Sequence, residues 1–407
     1  MKKKLTLGLF GFGCVGQGLY RVLQETKGLQ TEIRRICILN PEKSRSLPAE
    51  LFTTSREALL DDPEIDVIVE LINDPDKALD IVRGAVNRGK DVVTANKRML
   101  AEHLDEILAL QKATGRSILY EAAVCGSIPI IRNLEEYYDN DSLSRIEGIF
   151  NGSTNYILTR IDEERLSFDE ALKAAQDLGF AELDPSLDVE GFDPTFKLSI
   201  LIAHAFGKRI PPEDILRIGI GKLSPSDLSY ARKNNLKIKL VAGAYSTGET
   251  ITALVAPKFV RDNHALFPIR NEFNAVVVEG SFAEEQLFVG KGAGGNPTGA
   301  AVLSDIAALR YGYRYEYRKW QENTKDVSSE PIIEVSVGFE NPNLVSFEDF
   351  IAFYGGERVG KMNRMWGSVS WQTLRLWAET NGISVVLSPE ALPAVRTRLT
   401  IAEQALV

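Results

Sequence analysis

The segment LTLGLFGFGCVGQG, residues 5–18, decides the fold of the N-terminal part of this chain. Its first six residues form a short, mostly apolar run that predicts a buried strand. The spacing of Leu19, Val22 and Leu23 after it is typical of one face of a helix, and IRRICIL, residues 33–39, predicts a second strand. Strand, helix and strand in this order form a βαβ unit, which is the building block of a parallel sheet.

The same alternation continues further along the chain. IDVIVELI (65–72) and DVVTAN (91–96) predict buried strands, and ALDIVRGAVNRG (78–89) between them predicts a helix that ends at its last glycine. A further strand is predicted at SILYEAAV (117–124). We therefore predict an α/β protein whose first domain, residues 1–130, is a Rossmann-type, doubly wound parallel sheet.

The pattern changes after this domain. Residues 131–318 contain longer apolar strands in series and predict an α+β domain with a mixed or antiparallel sheet; these strands are IKLVAGAY (238–245), TITALVAP (250–257) and NAVVVEG (274–280). The polar segment 321–331 is typical of a linker. Residues 332–407 predict a small β-α-β-α-β domain, with FEDFIAFY (347–354) as its first helix.

Composition limits the kind of partner. The chain has 407 residues, a formal charge of −9, 44% hydrophobic residues and 25% charged residues. No apolar run is long enough to span a membrane, and after the first residues no block of Lys and Arg suggests nucleic acid. The three cysteines and three histidines lack metal-ligand spacing. We expect a cytoplasmic protein that binds small molecules, with neither a membrane nor a nucleic acid as partner.

The glycine loop predicts a ligand. Gly11, Gly13 and Gly16 fit the pattern G-x-G-x-x-G between a strand and a helix, where glycine lets the backbone approach a pyrophosphate. A structural tight turn is the alternative. No carboxylate stands at the tip of the second predicted strand, and Lys43 and Arg45 follow it, which favours NADP as the dinucleotide unless these two charges are simply solvated.

Lysines and carboxylates provide the candidate chemistry. Lys97 follows a predicted strand at the edge where doubly wound sheets bind ligands, although a solvated lysine is the alternative. Four carboxylates precede the apolar helix that contains Lys197: Glu182, Asp184, Asp188 and Asp193. Asp193 suits either a helix N-cap or an ion pair with Lys197 four residues later. Desolvation of an ammonium favours proton exchange with an alcohol, so a catalytic lysine is an equal alternative.

Two other stretches leave alternatives open. The segment GKGAGGNPTG, residues 290–299, predicts either close approach of the backbone to another group or a flexible turn. Cys125 lies in an apolar stretch with no histidine nearby, so we do not expect it to be a nucleophile.

Taken in order, several motifs resemble those of homoserine dehydrogenases. After GFGCVG they are TANK (94–97), EAAVCGSIP (121–129), FNGSTNYIL (150–158), GFAELDP (179–185), DVEGFDPTFKL (188–198), the KIKLV strand (237–241) and GKGAGGNPT (290–298). The resemblance covers about residues 5–315. It implies a Rossmann domain, a substrate-binding and dimerisation domain, and a homodimer. It also implies reversible, NAD(P)-dependent interconversion of L-homoserine and L-aspartate 4-semialdehyde, in the biosynthesis of threonine, methionine and isoleucine.

The resemblance also implies roles for individual residues. Lys197 would exchange the proton of the substrate oxygen, with Asp193 beside it, and Lys97 would reach toward cofactor and substrate. The implied substrate-binding residues are Gly179, Glu182 and Asp188. The implied nucleotide contacts are Gly11, Phe12, Gly13, Cys14, Val15, Gly16, Ile72, Lys97 and Gly294. A sodium site built mainly from backbone carbonyls is implied at Glu121, Val124, Gly126 and Ile128.

Three questions stay open. Leu39 stands where many relatives carry an arginine that contacts the 2′-phosphate, so both NAD and NADP remain candidates. The resemblance ends near Trp320, and the tail is either a regulatory ACT-like domain or an extension that stabilises a dimer. The rival function is a non-catalytic NAD(P)-sensing protein, which would keep the glycine loop but would not require Lys97, Glu182, Asp193 and Lys197 in one pattern.

Overall fold

The computed structural model describes residues 4–26, 28–322, 325–328, 330–390 and 394–395. Its N-terminal part is a six-stranded parallel sheet flanked by helices. The strands are β1 (Leu5–Phe10), β2 (Thr31–Cys37), β3 (Phe52–Thr53), β4 (Val67–Glu70), β5 (Asp91–Thr94) and β6 (Ile118–Leu119). The helices are α1 (Cys14–Glu25), α2 (Glu57–Leu60), α3 (Pro75–Asn87) and α4 (Lys97–Thr114).

The strand order in this sheet is β3-β2-β1-β4-β5-β6, and every neighbouring pair is parallel. This is the order of the doubly wound dinucleotide-binding fold, in which the order reverses beside β1 and opens a crevice at the carboxyl ends of the strands. The strands β1, β4, β5 and β6 are buried on both faces, which explains their apolar runs, whereas β2 exposes Glu32 and Arg34. The predicted Rossmann-type fold is confirmed.

The middle of the chain combines helices with long antiparallel strands. The helices are α5 (Ile130–Glu135), α6 (Gly152–Glu163), α7 (Phe168–Asp177), α8 (Ser186–Val189), α9 (Phe192–Phe206), α10 (Pro225–Lys233), α11 (Gly295–Leu309) and α12 (Arg318–Glu322). The strands are β7 (Leu143–Ile149), β8 (Leu216–Arg217), β9 (Lys237–Thr247), β10 (Thr250–Val260), β11 (Phe273–Gly280) and β12 (Glu284–Lys291). The three strands predicted in series are therefore present, as β9, β10 and β11.

The C-terminal part extends the same sheet. It contains α13 (Trp371–Glu379) and the strands β13 (Asp326–Val327), β14 (Pro331–Phe339), β15 (Phe350–Val359), β16 (Met362–Ser370), β17 (Ile383–Leu387) and β18 (Ala394–Val395). The main path of the sheet is β12-β11-β7-β9-β10-β17-β14-β16-β15, and it crosses into the C-terminal part where Lys258 pairs with Leu387.

One element was predicted wrongly. FEDFIAFY forms a 3-10 turn at Phe347–Asp349 followed by strand β15, where a helix was expected. Short apolar runs do not distinguish strand from helix by periodicity, and here antiparallel pairing with β16 decides the outcome. The end of the tail, residues 396–407, lies outside the described residues.

Helix α11 returns from the second half of the chain to the Rossmann-type sheet. Gly18 on α1 lies so close to α11 that a Cβ atom there would be 1.9 Å from the carbonyl oxygen of Gly295. A Cβ on Gly299 would lie 2.4 Å from the backbone nitrogen of Leu19. The glycines of GKGAGGNPTG therefore allow two helices to touch through their backbones, as the first alternative for this stretch predicted.

Candidate active site

Asp193 joins two lysines that are distant in sequence. Its Oδ1 lies 2.6 Å from Nζ of Lys97, and its Oδ2 lies 2.8 Å from Nζ of Lys197. Lys97 opens α4 at the carboxyl end of β5, whereas Asp193 and Lys197 lie one turn apart on α9. The structure thus brings together the three residues for which a catalytic role was predicted.

The capping alternative for Asp193 is wrong. Helix α9 begins at Phe192, and its N-cap is Gly191, which adopts a left-handed conformation with φ of 83°. Asp193 is therefore inside the first turn, and its carboxylate binds the two ammonium groups. Burial by itself would raise the pKa of Asp193, but Lys197 and Lys97 together lower it well below its ordinary value. This carboxylate stays ionised.

The two lysines differ in environment. Lys197 is buried, with 6% of its surface exposed, and its Nζ also donates to the carbonyl oxygen of Phe150 at 2.6 Å. The Lys97 side chain is 41% exposed. The carboxylate of Asp193 raises the pKa of Lys97, and smaller contributions in the same direction come from Asp188 and Glu182. Lys197 is therefore held from two sides, while Lys97 faces the open side of the cluster.

Asn151 completes the acidic side of the cluster. It caps α6 by accepting from the backbone N–H of Thr154 at 2.8 Å, and its amide nitrogen donates to Asp188 at 2.6 Å and to Asp193 at 2.9 Å. Burial raises the pKa of Asp188, the charge of Asp193 adds to this effect, and the hydrogen bond from Asn151 opposes it. Sequence reasoning missed Asn151; the only available signal was the Asn-x-x-Thr capping pattern in FNGSTNYIL.

Glu182 and Gly179 lie in the loop after α7, and both are exposed. Gly179 has φ of 74°, which favours glycine, and Gln176 holds the loop by donating to the carbonyl oxygen of Glu182 at 3.0 Å. Because the charge of Glu182 acts on Lys97, this carboxylate is within electrostatic reach of the cluster. Of the predicted substrate residues, the half-buried Asp188 and the exposed Glu182 thus both act electrostatically on Lys97.

The glycine loop fits a bound pyrophosphate. Gly11 has φ of 93°, and a Cβ on it would lie 2.6 Å from the carbonyl oxygen of Leu71. A Cβ on Gly16 would lie 2.7 Å from the carbonyl oxygen of Gly11. Gly13 is the N-cap of α1, has no side-chain cap, and faces open space. The N–H groups at the start of α1 are therefore free of side-chain caps, as a phosphate-binding helix end requires.

The other predicted nucleotide contacts surround this loop. Phe12 is buried against Phe52, with ring centroids 5.5 Å apart, whereas Cys14 is exposed and Val15 is half-buried. Ile72 packs beside Gly11, since its Cγ2 would lie 3.3 Å from a Cβ there.

The N-terminus of α11 lies beside the glycine loop that precedes α1. Gly294 precedes α11, and a Cβ on the next residue, Gly295, would lie 2.8 Å from the carbonyl oxygen of Cys14. The first turns of α1 and α11 border a cavity of about 360 Å³. The first turns of two helices therefore lie side by side, and the partial positive charge at each N-terminus favours an anion nearby.

The tip of β2 borders a cavity of about 620 Å³ lined in part by Lys43 and Arg45. Arg45 donates to the carbonyl oxygens of Lys43, at 2.6 Å, and Asn40, at 2.8 Å, and stacks 5.3 Å from the ring centroid of Phe52. Leu39 is almost fully exposed at 94%. The predicted cations are thus present beside the tip, with Arg45 held in place by the loop.

The predicted sodium loop is largely buried and contains two backbone carbonyl oxygens that accept no hydrogen bond from a described residue. Glu121 caps α5, accepting from the backbone N–H groups of Ile131 at 2.8 Å and Arg132 at 2.9 Å. The carbonyl oxygens of Glu121 and Ile128 each accept a backbone N–H, but those of Val124 and Gly126 accept none from a described residue. Carbonyl oxygens suit a hard cation, so the donor set fits. Among the described residues no cluster of three His, Cys, Asp or Glu side chains could hold a metal.

Cys125 in the same loop is a free, buried thiol. Burial raises its pKa to about 12. A thiol with so high a pKa is a poor nucleophile at neutral pH, which agrees with the sequence-based expectation.

Known proteins match both halves of this arrangement. The family model described as "Homoserine dehydrogenase, NAD binding domain" matches residues 11–121, and the model described as "Homoserine dehydrogenase" matches residues 129–307. The homoserine dehydrogenase of Bacillus subtilis (strain 168) is 36% identical over 354 residues, covering 82% of this chain and 82% of that protein.

Solved structures agree with the sequence relatives. A homoserine dehydrogenase from Thiobacillus denitrificans is similar with a TM-score of 0.83 and 29% identity, covering 95% of this chain and 98% of that one. A hyperthermophilic archaeal homoserine dehydrogenase in complex with NADPH has a TM-score of 0.66 and 26% identity, covering 77% of this chain and 99% of that one. Among the described residues, no helix is both long and apolar enough to cross a membrane. With a nucleotide-binding crevice beside a lysine–carboxylate cluster and relatives that match most of its length, the chain belongs to the homoserine dehydrogenase family.

Proposed function

We propose that this chain interconverts L-homoserine and L-aspartate 4-semialdehyde, as a step toward threonine, methionine and isoleucine, and that Lys197 exchanges the proton of the substrate oxygen. The observation that carries the proposal is the bridge from Lys97 through Asp193 to Lys197. It lies next to the crevice where a dinucleotide would bind. A bound nicotinamide would accept the hydride from the alcohol carbon or return it to the aldehyde carbon.

The charges of the cluster suit this chemistry. Two lysines share the single buried carboxylate of Asp193, so their positive charge is only partly balanced at the site. When the aldehyde is reduced, negative charge develops on its oxygen, and fixed positive groups stabilise that charge most where water is excluded. Lys197 then gives its proton to this oxygen, and in the reverse direction it takes the hydroxyl proton. Asp193 orients Lys197 for proton transfer in both directions.

The acidic residues would bind the substrate. Homoserine carries an ammonium group, which the exposed carboxylate of Glu182 and the half-buried carboxylate of Asp188 could pair with at the mouth of the site. Gly179, whose backbone N–H donates to the carbonyl oxygen of Gln176 at 2.9 Å, lies in the same loop. We assign these three residues to recognition of the substrate and the pair Lys97 and Lys197 to its reacting oxygen.

The dinucleotide would lie on the glycine loop between α1 and α11. Its pyrophosphate would meet the free N-termini of both helices, and Lys43 and Arg45 could bind a 2′-phosphate in the adjacent cavity. The relative solved with NADPH supports a nucleotide of this class. We propose that replacing both Lys43 and Arg45 with alanine raises the KM for NADP while leaving the KM for NAD unchanged.

The deciding experiment follows the absorbance of reduced nicotinamide with purified protein, L-homoserine and either NAD or NADP. We expect homoserine-dependent reduction by the wild type and a loss of about 10²- to 10⁴-fold in turnover for Lys197→Ala, because that is the usual contribution of a general acid–base group. Nucleotide affinity should be retained. Lys173→Ala removes an exposed lysine paired with Asp177 and serves as the control.

Two outcomes would redirect the interpretation. Full turnover in Lys197→Ala would remove its assigned role while leaving the activity. No reaction in either direction, with nucleotide still bound, would favour the NAD(P)-sensing alternative, for which none of the comparisons gives support.

We further propose a homodimer and a cytoplasmic location. Strand β12 ends the large sheet and exposes Leu287 (41%) and Val289 (50%), near the exposed Phe282 (79%), so an apolar edge is left for a second copy. Light scattering should give twice the chain mass, and replacing Leu287 and Val289 with arginine should give the monomer. The three free cysteines suit a reducing compartment.

A further inference from the structure

Asn274 carries a buried carboxamide for which no described residue provides a hydrogen bond of ordinary length and angle. Its side chain is fully buried, and this holds for both Nδ2 and Oδ1. Among the described residues it is the only side chain with two such atoms. Burying an amide without hydrogen-bond partners destabilises the folded state, so a group of this kind indicates an ion or water that the protein holds.

The position of Asn274 connects it with the sodium loop. It is the second residue of β11, and its carboxamide lies against the backbone of Gly292, where a Cβ atom would be 2.1 Å from the amide nitrogen. On the other side it contacts the thiol of Cys125, a contact that lowers the pKa of that thiol although burial dominates. The carboxamide is therefore wedged between the loop and the Gly-rich segment before α11.

The loop is fastened to the same segment. The backbone N–H of Ser127 donates to the carbonyl oxygen of Lys291 at 3.0 Å, and a Cβ on Gly126 would lie 2.6 Å from that oxygen. Cys125 and Gly126 both adopt left-handed conformations, with φ of 53° and 54°. The unpaired carbonyls of Val124 and Gly126 thus flank the residue that Asn274 contacts.

We propose that Asn274 is a further member of the monovalent-cation site, contributing its side-chain oxygen alongside the carbonyls of Val124 and Gly126. The inference rests on the sodium site implied for this loop. It accounts for the unpaired Oδ1 of Asn274 and the two unpaired carbonyls with one ion, since hard cations prefer amide and carbonyl oxygens. It also accounts for the glycine at position 292, because any side chain there would displace the carboxamide.

The test measures the melting temperature of purified full-length protein in NaCl and in choline chloride at equal ionic strength, across a sodium titration. A ligand that binds only the folded state raises the melting temperature with its concentration. We expect sodium to stabilise the wild type saturably, and Asn274→Leu to need at least tenfold more sodium, as is typical when a partner of a metal site is lost. Asn363→Leu removes a carboxamide that binds the carbonyls of Phe339 and Glu340 elsewhere, and its sodium response should match the wild type.

A second variant covers failure of Asn274→Leu to fold. Asn274→Asp keeps the shape and adds a negative charge, so the difference in melting temperature between sodium and choline should widen beyond that of the wild type. Unchanged sodium titrations in both Asn274 variants would overturn the role of Asn274 and leave the cation site intact. Absence of any sodium effect in the wild type would overturn the cation site as well. Homoserine turnover is measured separately in each protein, so that failure of the cation-site proposal can be distinguished from failure of the proposed reaction.

Discussion

Replacement of Gly18 by alanine should destabilise this protein, contrary to the usual effect of such a change in a helix. In an unhindered helix interior, Gly to Ala gains about 1 kcal/mol. At Gly18 the added Cβ would lie 1.9 Å from the carbonyl oxygen of Gly295 and 2.9 Å from the backbone nitrogen of Asn296. Backbone atoms cannot rotate away as a side chain can, so α1 and α11 must separate.

The size of the effect follows from this contact. Cβ atoms essentially never approach another heavy atom more closely than 3.0 Å, so the helices must part by roughly 1 Å. Overpacking of this kind costs about 1–3 kcal/mol, and the rigid obstacle places Gly18→Ala at the upper end. After the helix gain of about 1 kcal/mol is subtracted, we expect a net loss of about 2 kcal/mol in the free energy of unfolding. The KM for the dinucleotide should rise, since the first turns of both helices border its proposed site.

The assay is urea unfolding of wild type, Gly18→Ala and a control, Gly84→Ala, followed by fluorescence. Gly84 lies inside α3, and the nearest atoms to a Cβ there would be the side-chain ends of Leu60 at 3.0 Å, Arg56 at 3.1 Å and Arg88 at 3.5 Å. We expect the control to be nearly neutral. A Gly18→Ala protein as stable as the wild type, or more stable, would refute the direct backbone contact between α1 and α11.

Three further predictions address the carboxylates and thiols. Burial raises the pKa of Glu70 to about 7, so its contribution to the free energy of unfolding is complete below its ordinary pKa and is lost as pH rises through 7. The free energy of unfolding of the wild type should therefore fall by on the order of 3 kcal/mol more than that of Glu70→Gln over this range. Equal pH slopes in the two proteins, measured by urea unfolding, would contradict this. Iodoacetamide at neutral pH should alkylate the exposed Cys14 and spare the buried Cys125, with bound dinucleotide slowing the reaction at Cys14; mass spectrometry of the labelled peptides decides. Asp193→Asn should lower turnover by about 10²-fold or more, because Lys197 loses the carboxylate that orients it, and a steady-state assay showing a change in KM alone would speak against this role.

Local patterns predicted the elements better than their connections. The strand before GFGCVG, the helix after it and the glycine pattern are properties of neighbouring residues, and the structure has each of them. The run 347–354 was misjudged because its apolar residues suit a helix or an edge strand equally, and only β16 beside it resolves the ambiguity. Asp193 was open to interpretation as a cap because Asp-Pro is typical of a helix start. In the structure, however, the left-handed Gly191 is the N-cap and the helix begins at Phe192, one residue before Asp193.

The sequence by itself determined the α/β class, the dinucleotide loop and the set of lysines and carboxylates, because side-chain periodicity and glycine conformation are local properties. The tertiary structure decided which of those groups meet. Lys97 and Lys197 reach one carboxylate only because α4, which follows β5, packs against α9, and no local pattern encodes that contact. The same holds for Asn274, whose missing partners become visible only once Cys125 and Gly292 surround it. Long-range packing brings these residues into contact, because burying apolar surface lowers the free energy of the folded state whatever the separation of the residues along the chain.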